Sequence, residues 1–395
     1  MPGKRLDIAL ICREVSLSGG GVERYASTLI KNLGDMGHHI DVFAGKWDNS
    51  LDRRVTTHRV PIRKGLQSIK MLSFIRNCRQ LLRPERRRFD IVCSLTQFYP
   101  QDVFRLGGAI WNVLMKRMQP ARWRRTLKYL IADGYLLRLY IERKIFQEGN
   151  YRHVVAISGM VKRQLIRAYG IPDNDVTVIY NGVDLKRFNK TVKTKWRKKV
   201  RDKFRFRDDD IVLLFVGHDF RRKGLEYVIG ALDMVDKGVK LLVAGKGDQG
   251  HYQRTAIQAG VNDRVVFAGP VEEMEQMYAA SDIFVFPTLY DAFGSVGLEA
   301  MACGLPVVAT KFAGFSELIE DRSNGILLDK PDTESLALSI NNLLKDDLRS
   351  YLSENGIKTA EKFSARKNAE EMAMVFYKVL NAAPSLLTGS GQVSI

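Results

Sequence analysis

Long apolar runs are missing from this chain. Nothing in its 395 residues approaches the roughly 20 consecutive apolar residues that cross a bilayer, so no membrane-spanning helix is expected. Cysteine is scarce as well. Cys12, Cys78, Cys93 and Cys303 form no Cys-x-x-Cys pair, and each sits in an apolar segment. That excludes a disulfide-built scaffold and points to buried, reduced thiols in a cytoplasmic enzyme. The six histidines and the cysteines form no cluster with metal-ligand spacing, so metal-independent chemistry is expected. No repeat of solenoid period is present. The opening Met1–Arg5 leads into Leu6–Cys12, which is too short for a secretory signal and reads as a first strand.

What is present is a folded composition, with 45% hydrophobic residues and a mean hydropathy of −0.17. The formal charge of +18 is placed unevenly. Residues 1–184 hold 32 Lys and Arg against 16 Asp and Glu; residues 185–395 hold 30 against 28. A basic half joined to a near-neutral half suggests that only the first meets a polyanion: anionic lipid, an acidic glycan or nucleic acid.

Strand and helix patterns alternate. Leu6–Cys12, His39–Ala44, Asp90–Ser94, His153–Ala156 and Val176–Tyr180 read as buried strands of the first half. Ile211–Val216, Lys240–Ala244, Val265–Ala268, Ile283–Pro287, Val307–Thr310 and Gly325–Leu328 read so in the second. A helix after the first strand carries Val22, Tyr25, Ala26, Leu29, Ile30, Leu33 and Met36 on one stripe and stops at Gly37. The fold class is therefore α/β, with two Rossmann-like doubly wound domains. The expected division is 1–184 and 185–364, then a last helix at 365–382 with Met372, Val375, Phe376 and Val379 on one face, then a flexible tail at 383–395.

Three segments carry candidate chemistry. In the first, a strand leads into Tyr290-Asp291-Ala292-Phe293-Gly294-Ser295-Val296, and a helix begins near Gly294 and carries Glu299. The unpaired amides at that helix start favour an anion. Glu299 can accept hydrogen bonds from a diol such as a ribose, and Asp291 could hold hydroxyls of a second sugar. On spacing alone, two acids seven residues apart read as a capping acid and a solvated one. In the second segment a strand ends at Gly217, and His218-Asp219-Phe220-Arg221-Arg222-Lys223 precedes a helix expected near Gly224. A guanidinium fork and an ammonium there can clamp a diphosphate; a solvated basic turn is the alternative. The third is Ser18-Gly19-Gly20-Gly21-Val22-Glu23-Arg24 between strand and helix. Its glycines let backbone approach a phosphate, although a simple turn fits equally.

Taken together these segments resemble the retaining glycosyltransferases of family 4, which have the GT-B fold. Phe293-Gly294, Glu299-Ala300, Gly304 and Pro306-Val307-Val308 fall where that family has its E-x7-E region. Lys223-Gly224 matches the lysine of its phosphate-binding Arg/Lys pair, and Gly20-Gly21-x-Glu23-Arg24 its first loop. Gly37-His38-His39, Lys46-Trp47 and Asp219-Phe220-x-Arg222-Lys223-Gly224 look like the subfamily that adds the first glucose to the heptose region of lipopolysaccharide core. The chain departs from the family at three places: Asp291 replaces its first Glu, His218 its early Arg, and no Asp or His lies between Arg105 and Trp111.

The resemblance implies a donor site in the cleft between two domains, closed by domain motion, with a helix crossing back to the first. Lys223, Arg222 and Asp291 are the expected catalytic residues. Gly20, Gly21, Gly217, His218, Arg222, Lys223, Val271, Asp291, Phe293, Gly294, Ser295, Val296 and Glu299 are the expected donor-binding set. It implies transfer of a hexose, glucose from UDP-glucose in the first instance, to a sugar hydroxyl of lipopolysaccharide core or a related envelope glycan. No cofactor, no metal and no general base are nominated. Trp111–Lys128 and Arg83–Arg88 mix arginine, lysine and tryptophan, which suits attachment to an anionic membrane from the cytoplasmic side; a solvated basic face is the alternative. A sugar-nucleotide epimerase of similar shape would need acid and base groups that the sequence does not display. Nucleic-acid binding, prompted by a pI near 9.7, lacks any recognisable module.

Overall fold

Apolar runs that lack alternation need cover on both faces, and both sheets supply it. The structure is a computed structural model that describes residues 4–16, 19–48, 55–118 and 133–382. The chain divides into two compact units, Met1–Ile179 with Arg366–Ile395, and Tyr180–Ala365.

Unit 1 holds a seven-stranded parallel sheet in the order β3-β2-β1-β4-β5-β6-β7. Its strands are β1 (Asp7–Val15), β2 (His39–Trp47), β3 (Thr56–Arg59), β4 (Ile91–Ser94), β5 (Val103–Leu106), β6 (His153–Ala156) and β7 (Val176–Val178). Ile8, Leu10 and Cys12 of β1 face one core with Ala26, Leu29, Ile30 and Leu33 of α1 (Gly21–Asp35). Ala9 and Ile11 face the other, with Phe74, Cys78 and Leu82 of α2 (Gln67–Glu85). Two further helices, α3 (Trp111–Met118) and α4 (Tyr135–Ile145), follow β5, and α5 (Gly159–Tyr169) follows β6. All four cysteines are free and buried. Burial pushes the Cys78 and Cys93 thiols up to about 12, which keeps them protonated and inert.

Unit 2 opens with α6 (Thr191–Phe204) and holds a six-stranded parallel sheet in the order β10-β9-β8-β11-β12-β13. The strands are β8 (Ile211–His218), β9 (Val239–Lys246), β10 (Val265–Gly269), β11 (Ile283–Phe286), β12 (Val307–Thr310) and β13 (Ile326–Leu328). Between them run α7 (Phe220–Lys223), α8 (Leu225–Leu232), α9 (Gln249–Gln258), α10 (Met274–Ala280) and α11 (Ser295–Ala302). After β13 come α12 (Thr333–Leu343) and α13 (Asp346–Glu361).

The division falls after Ile179 and after Ala365, not after Asp184 and at 364. The turn Asn181–Asp184 is tied to the end of unit 2. The Val183 amide donates to the Phe363 carbonyl at 2.9 Å, and the Ala365 amide to the Val183 carbonyl at 2.8 Å. A Cβ on Gly182 would lie 2.5 Å from the Ser364 carbonyl oxygen. The last helix, α14 (Ala365–Asn381), belongs to unit 1, where Met372, Val375, Phe376 and Val379 join the β1–α1 core. The expected tail at 383–395 lies outside the described residues.

Two strands escaped the sequence reading. β3 is a short edge strand, Thr-Thr-His-Arg, with no apolar signal. β5 is fully buried but is interrupted by Arg105. That guanidinium lies over the Tyr25 ring, 3.3 Å from its centroid, and burial lowers its pKa. The Tyr25 hydroxyl donates to Asn368 at 3.0 Å. The basic clusters are also less free than their composition suggests. Arg86 pairs with buried Asp102 at 2.6 Å, and Arg88 with buried Asp41 at 2.5 Å. In α6, Arg197 and Arg201 turn inward to Asp282, at 2.7 and 3.3 Å. Trp111 and Met115 open the basic aromatic segment on α3 and pack against the unit; Arg122, Trp123, Arg124, Arg125 and Lys128 lie outside the described residues.

Candidate functional site

Unit 2 concentrates its candidates where β8 and β11 end. β8 runs one residue past Gly217, to His218, and Asp219 then caps a one-turn helix by accepting the Arg222 amide at 3.2 Å. That turn ends at Gly224, whose φ of +81° suits only glycine and whose Cβ would lie 2.1 Å from the Pro287 carbonyl oxygen. Arg222 and Lys223 therefore end α7, a one-turn helix where a loop was expected, and α8 starts after Gly224 as expected. The Lys223 stem folds back over Gly217, where a Cβ would come within 2.7 Å of Lys223 Cγ. Gly217 thus serves close packing of the lysine.

Lys223 is 8% exposed. Its Nζ pairs with Asp291 Oδ2 and lies 4.6 Å from the centroid of the Phe286 ring. Burial first, then the Arg222 charge, push the Lys223 pKa well below the usual lysine range, and Asp219 opposes them. The Asp291 ion pair acts in the same sense as Asp219. Arg222 sends Nη1 to the Tyr290 carbonyl at 2.8 Å and Nε to Asp219 at 3.2 Å, and its Nη1 stands 3.8 Å from Asp291 Oδ2. Arg221 is exposed, so Arg222 joins the cluster and Arg221 does not. Asp291 Oδ1 accepts the Phe293 amide at 3.1 Å. Both Asp291 oxygens are therefore engaged within the protein, where the sequence suggested contact with a sugar.

The loop after β11 turns into α11 through Gly294, whose φ is +85°. Buried Phe293 anchors the loop, and its carbonyl accepts the Phe315 amide at 2.7 Å. Ser295 and Val296 start α11, where helix amides have no helical partner. Ser295 Oγ accepts from Asn181 at 3.0 Å. Glu299 is buried, and its Oε2 accepts the Tyr278 hydroxyl at 2.9 Å. His218 is exposed beside Lys246 in the β8–β9 register. Val271 is half-buried in the turn after β10. The structure thus joins Arg222, Lys223 and Asp291 by direct contact and sets Phe293–Glu299 on the adjoining loop and helix.

Residues 197–359 match the family described as Glycosyl transferases group 1, and residues 19–187 match Glycosyltransferase Family 4. The chain is a GT-B glycosyltransferase. It is similar to an uncharacterised glycosyltransferase of Methanocaldococcus jannaschii, with 34% identity over 56% of this chain and 59% of that one. The chain thus spans less than two thirds of that relative. It is 21% identical to the lipopolysaccharide glucosyltransferase WaaG of Escherichia coli over 94% of this chain and 96% of WaaG. The crystal structure of WaaG, described as involved in lipopolysaccharide biosynthesis, superposes with a TM-score of 0.78 at 20% identity, over 93% of this chain and 99% of that one. Anabaena HepE in complex with UDP-glucose superposes at 0.73 with 19% identity, over 95% and 100%. At such identities these superpositions speak for the fold.

In unit 1 of this glycosyltransferase, Gly20 caps α1 and Gly21 begins it, both exposed. A Cβ on Gly19 or Gly20 would meet the Glu23 side chain at 2.7 Å. Tyr278, Phe286, Tyr290 and Asn181 also build the unit 2 site. Sequence reasoning missed them because a buried aromatic, a main-chain carbonyl and a turn amide carry no motif. The sequence does contain Asp-x-Asp spacing, at Asp173-Asn174-Asp175 and Asp208-Asp209-Asp210. The first is a single 3-10 turn; in the second, Asp210 accepts the Arg207 amide at 2.7 Å. Among the described residues, Asp41, His58 and Glu85 also gather potential metal-ligand atoms. The Arg88 guanidinium already bridges Asp41 and Glu85, at 2.5 and 3.1 Å, and supplies the positive charge a metal would bring.

Proposed function

We propose that this glycosyltransferase moves a hexose, glucose from UDP-glucose in the first instance, to a sugar hydroxyl of lipopolysaccharide core or a related envelope glycan, with retention of configuration and without a metal. The observation that carries the donor half of this reading is the Arg222–Lys223–Asp291 cluster beside the start of α11. Charge accumulates on the β-phosphate as the glycosidic bond breaks. Lys223 and Arg222 offset it, and the Ser295 and Val296 amides add oriented dipoles. An arriving diphosphate competes with Asp291 for the ammonium, so Asp291 holds Lys223 in place until the donor does. Glu299, oriented by Tyr278, accepts from the ribose hydroxyls. The likeness to WaaG supports the choice of acceptor, and the UDP-glucose complex of HepE supports the choice of donor. Screening nucleotide-sugars for UDP release and for thermal stabilisation tests this. UDP-glucose should stabilise and turn over, and EDTA should leave turnover intact. Stabilisation by a purine-diphosphate sugar alone would refute the donor assignment.

We also infer peripheral attachment to the cytoplasmic face of an anionic membrane. Among the described residues no helix is long and apolar enough to cross a bilayer. One exposed stripe of α2 carries Ile69 and Leu72, then Arg76 and Arg83, and exposed Arg87 lies in the turn that follows. Exposed Leu136 and Tyr140 lie on α4, whose preceding Asp133 accepts from Gln67 and Ser68 at the α2 start. Vesicle flotation should show binding that requires anionic lipid; equal binding to neutral vesicles, or none, would remove the idea.

A further inference from the structure

A cavity of about 130 Å³ lies in unit 1, lined among others by Gln97, Ala109, Trp111, Arg138 and Glu142. Its place is set by topology. Gln97 follows β4, Ala109 and Trp111 follow β5, and α4 supplies Arg138 and Glu142. In an open parallel sheet, ligands collect beyond the carboxyl ends of the strands, near the point where strand order reverses. Here that point lies between β1 and β4. The cavity is partly open, so a charged substituent can enter it while the rest of a glycan stays outside.

The polar groups along this wall are matched unequally. Glu142 is buried and fully engaged. Its Oε2 accepts the Trp111 amide at 2.7 Å, and its Oε1 accepts the Tyr169 hydroxyl and the Asn112 amide, the latter at 3.4 Å. It caps α3, and this leaves no carboxylate for Arg138. Among the described residues the Arg138 side chain makes no hydrogen bond and no ion pair. Its guanidinium lies over the Trp111 ring, 4.3 Å from the centroid. Burial, and then the charge of Arg13 at the end of β1, lower the Arg138 pKa, and Glu142 only partly offsets them. Arg13 is likewise without a partner among the described residues. The Trp111 indole N–H is buried and makes no hydrogen bond. A half-buried cation that repels a second cation and faces a cavity lacks an anion.

We propose that this cavity binds the anionic substituent, a phosphate or a carboxylate, of the acceptor glycan, with Arg138 as its cation. The anion site stands on the cavity, and its assignment to the acceptor rests on the glycosyltransferase reading above. Arg138 thereby selects an acidic acceptor over a neutral one.

The test uses the full chain at constant ionic strength, with inorganic phosphate, glucose 6-phosphate, glucuronate and glucose as probes and UDP as the donor-side control. Phosphate with glucose 6-phosphate, or glucuronate, should bind measurably and glucose should not; the stronger arm identifies phosphate or carboxylate. Arg138→Met should weaken the charged probe by about tenfold or more, the loss of one charge-assisted hydrogen bond. Arg138→Lys should keep affinity within about threefold, as expected if charge matters most. Stabilisation by UDP should be unchanged in both variants, which reports an intact fold. Charged probes that bind no better than glucose, or that bind Arg138→Met like the unaltered chain, would overturn the proposal. Failure of UDP to bind while the charged probes do would instead strike at the donor reading.

Discussion

Replacing Lys223 by methionine keeps a straight apolar stem over Gly217 and the Phe286 ring and removes only the ammonium. Asp291 is then left with the Arg222 guanidinium at 3.8 Å and the Phe293 amide at 3.1 Å. An orphaned buried charge costs about 3–5 kcal/mol. Here a second cation remains, the carboxylate is not fully buried, and the desolvation of the lysine is relieved. The stability loss should therefore be near 1 kcal/mol, a melting shift of about 2–4 °C. Turnover should suffer far more. Removing one preorganised group that meets developing charge costs about 10²–10³ in kcat, or about 2.7–4 kcal/mol. Single-turnover release of UDP from UDP-glucose, read beside a melting curve, separates the two effects. A kcat within threefold of the unaltered enzyme, with the fold intact, would show that Lys223 does not reach the leaving group. A melting shift beyond about 10 °C would show that its role is structural.

The lowered pKa of Lys223 has a signed consequence. Between its folded value and the ordinary 10.5, the unfolded chain holds more protons than the folded one, so stability should rise with pH across that alkaline window. Chemical denaturation at stepped pH should show the slope, and Lys223→Met should flatten it. Tyr278→Phe removes the 2.9 Å hydrogen bond to Glu299; the KM for donor should rise several-fold with kcat little changed, at a stability cost of about 1 kcal/mol. Gly297→Ala would set a Cβ 2.2 Å from the Phe315 ring, an overpacking worth about 1–3 kcal/mol, visible as a lower midpoint and weaker UDP binding. Phe376→Ala, buried in the unit 1 core, should cost about 3–5 kcal/mol; a denaturation midpoint that does not move would contradict the packing of α14.

Buried parallel strands announce themselves because both faces demand apolar residues. His153–Ala156 and Val307–Thr310 therefore have the bounds their runs suggest. The same logic fails where tertiary contacts pay for a polar residue, as Tyr25 does for Arg105, and at an edge such as β3. In unit 2 the motif put Arg222 and Lys223 just after β8 and Glu299 on the helix after β11, where the structure has them. It did not disclose the one-turn helix α7 ahead of Gly224, because a one-turn helix has no periodicity to read. The Lys223–Asp291 pair was equally hidden, since 68 residues separate its members. The Arg138 cavity has no motif at all, because it arises when Glu142 is drawn away to cap α3.

The return of α14 to unit 1 bears on how the polypeptide is made. Ala369, Met372 and Phe376 complete the layer over β1 and α1, yet a ribosome makes them only after all of unit 2. Unit 2, contiguous in the chain, can finish while the earlier unit still waits with an uncovered greasy flank. A nascent chain stalled before residue 365 should accordingly be sticky and dependent on chaperones, whereas one extended past residue 381 can seal that flank.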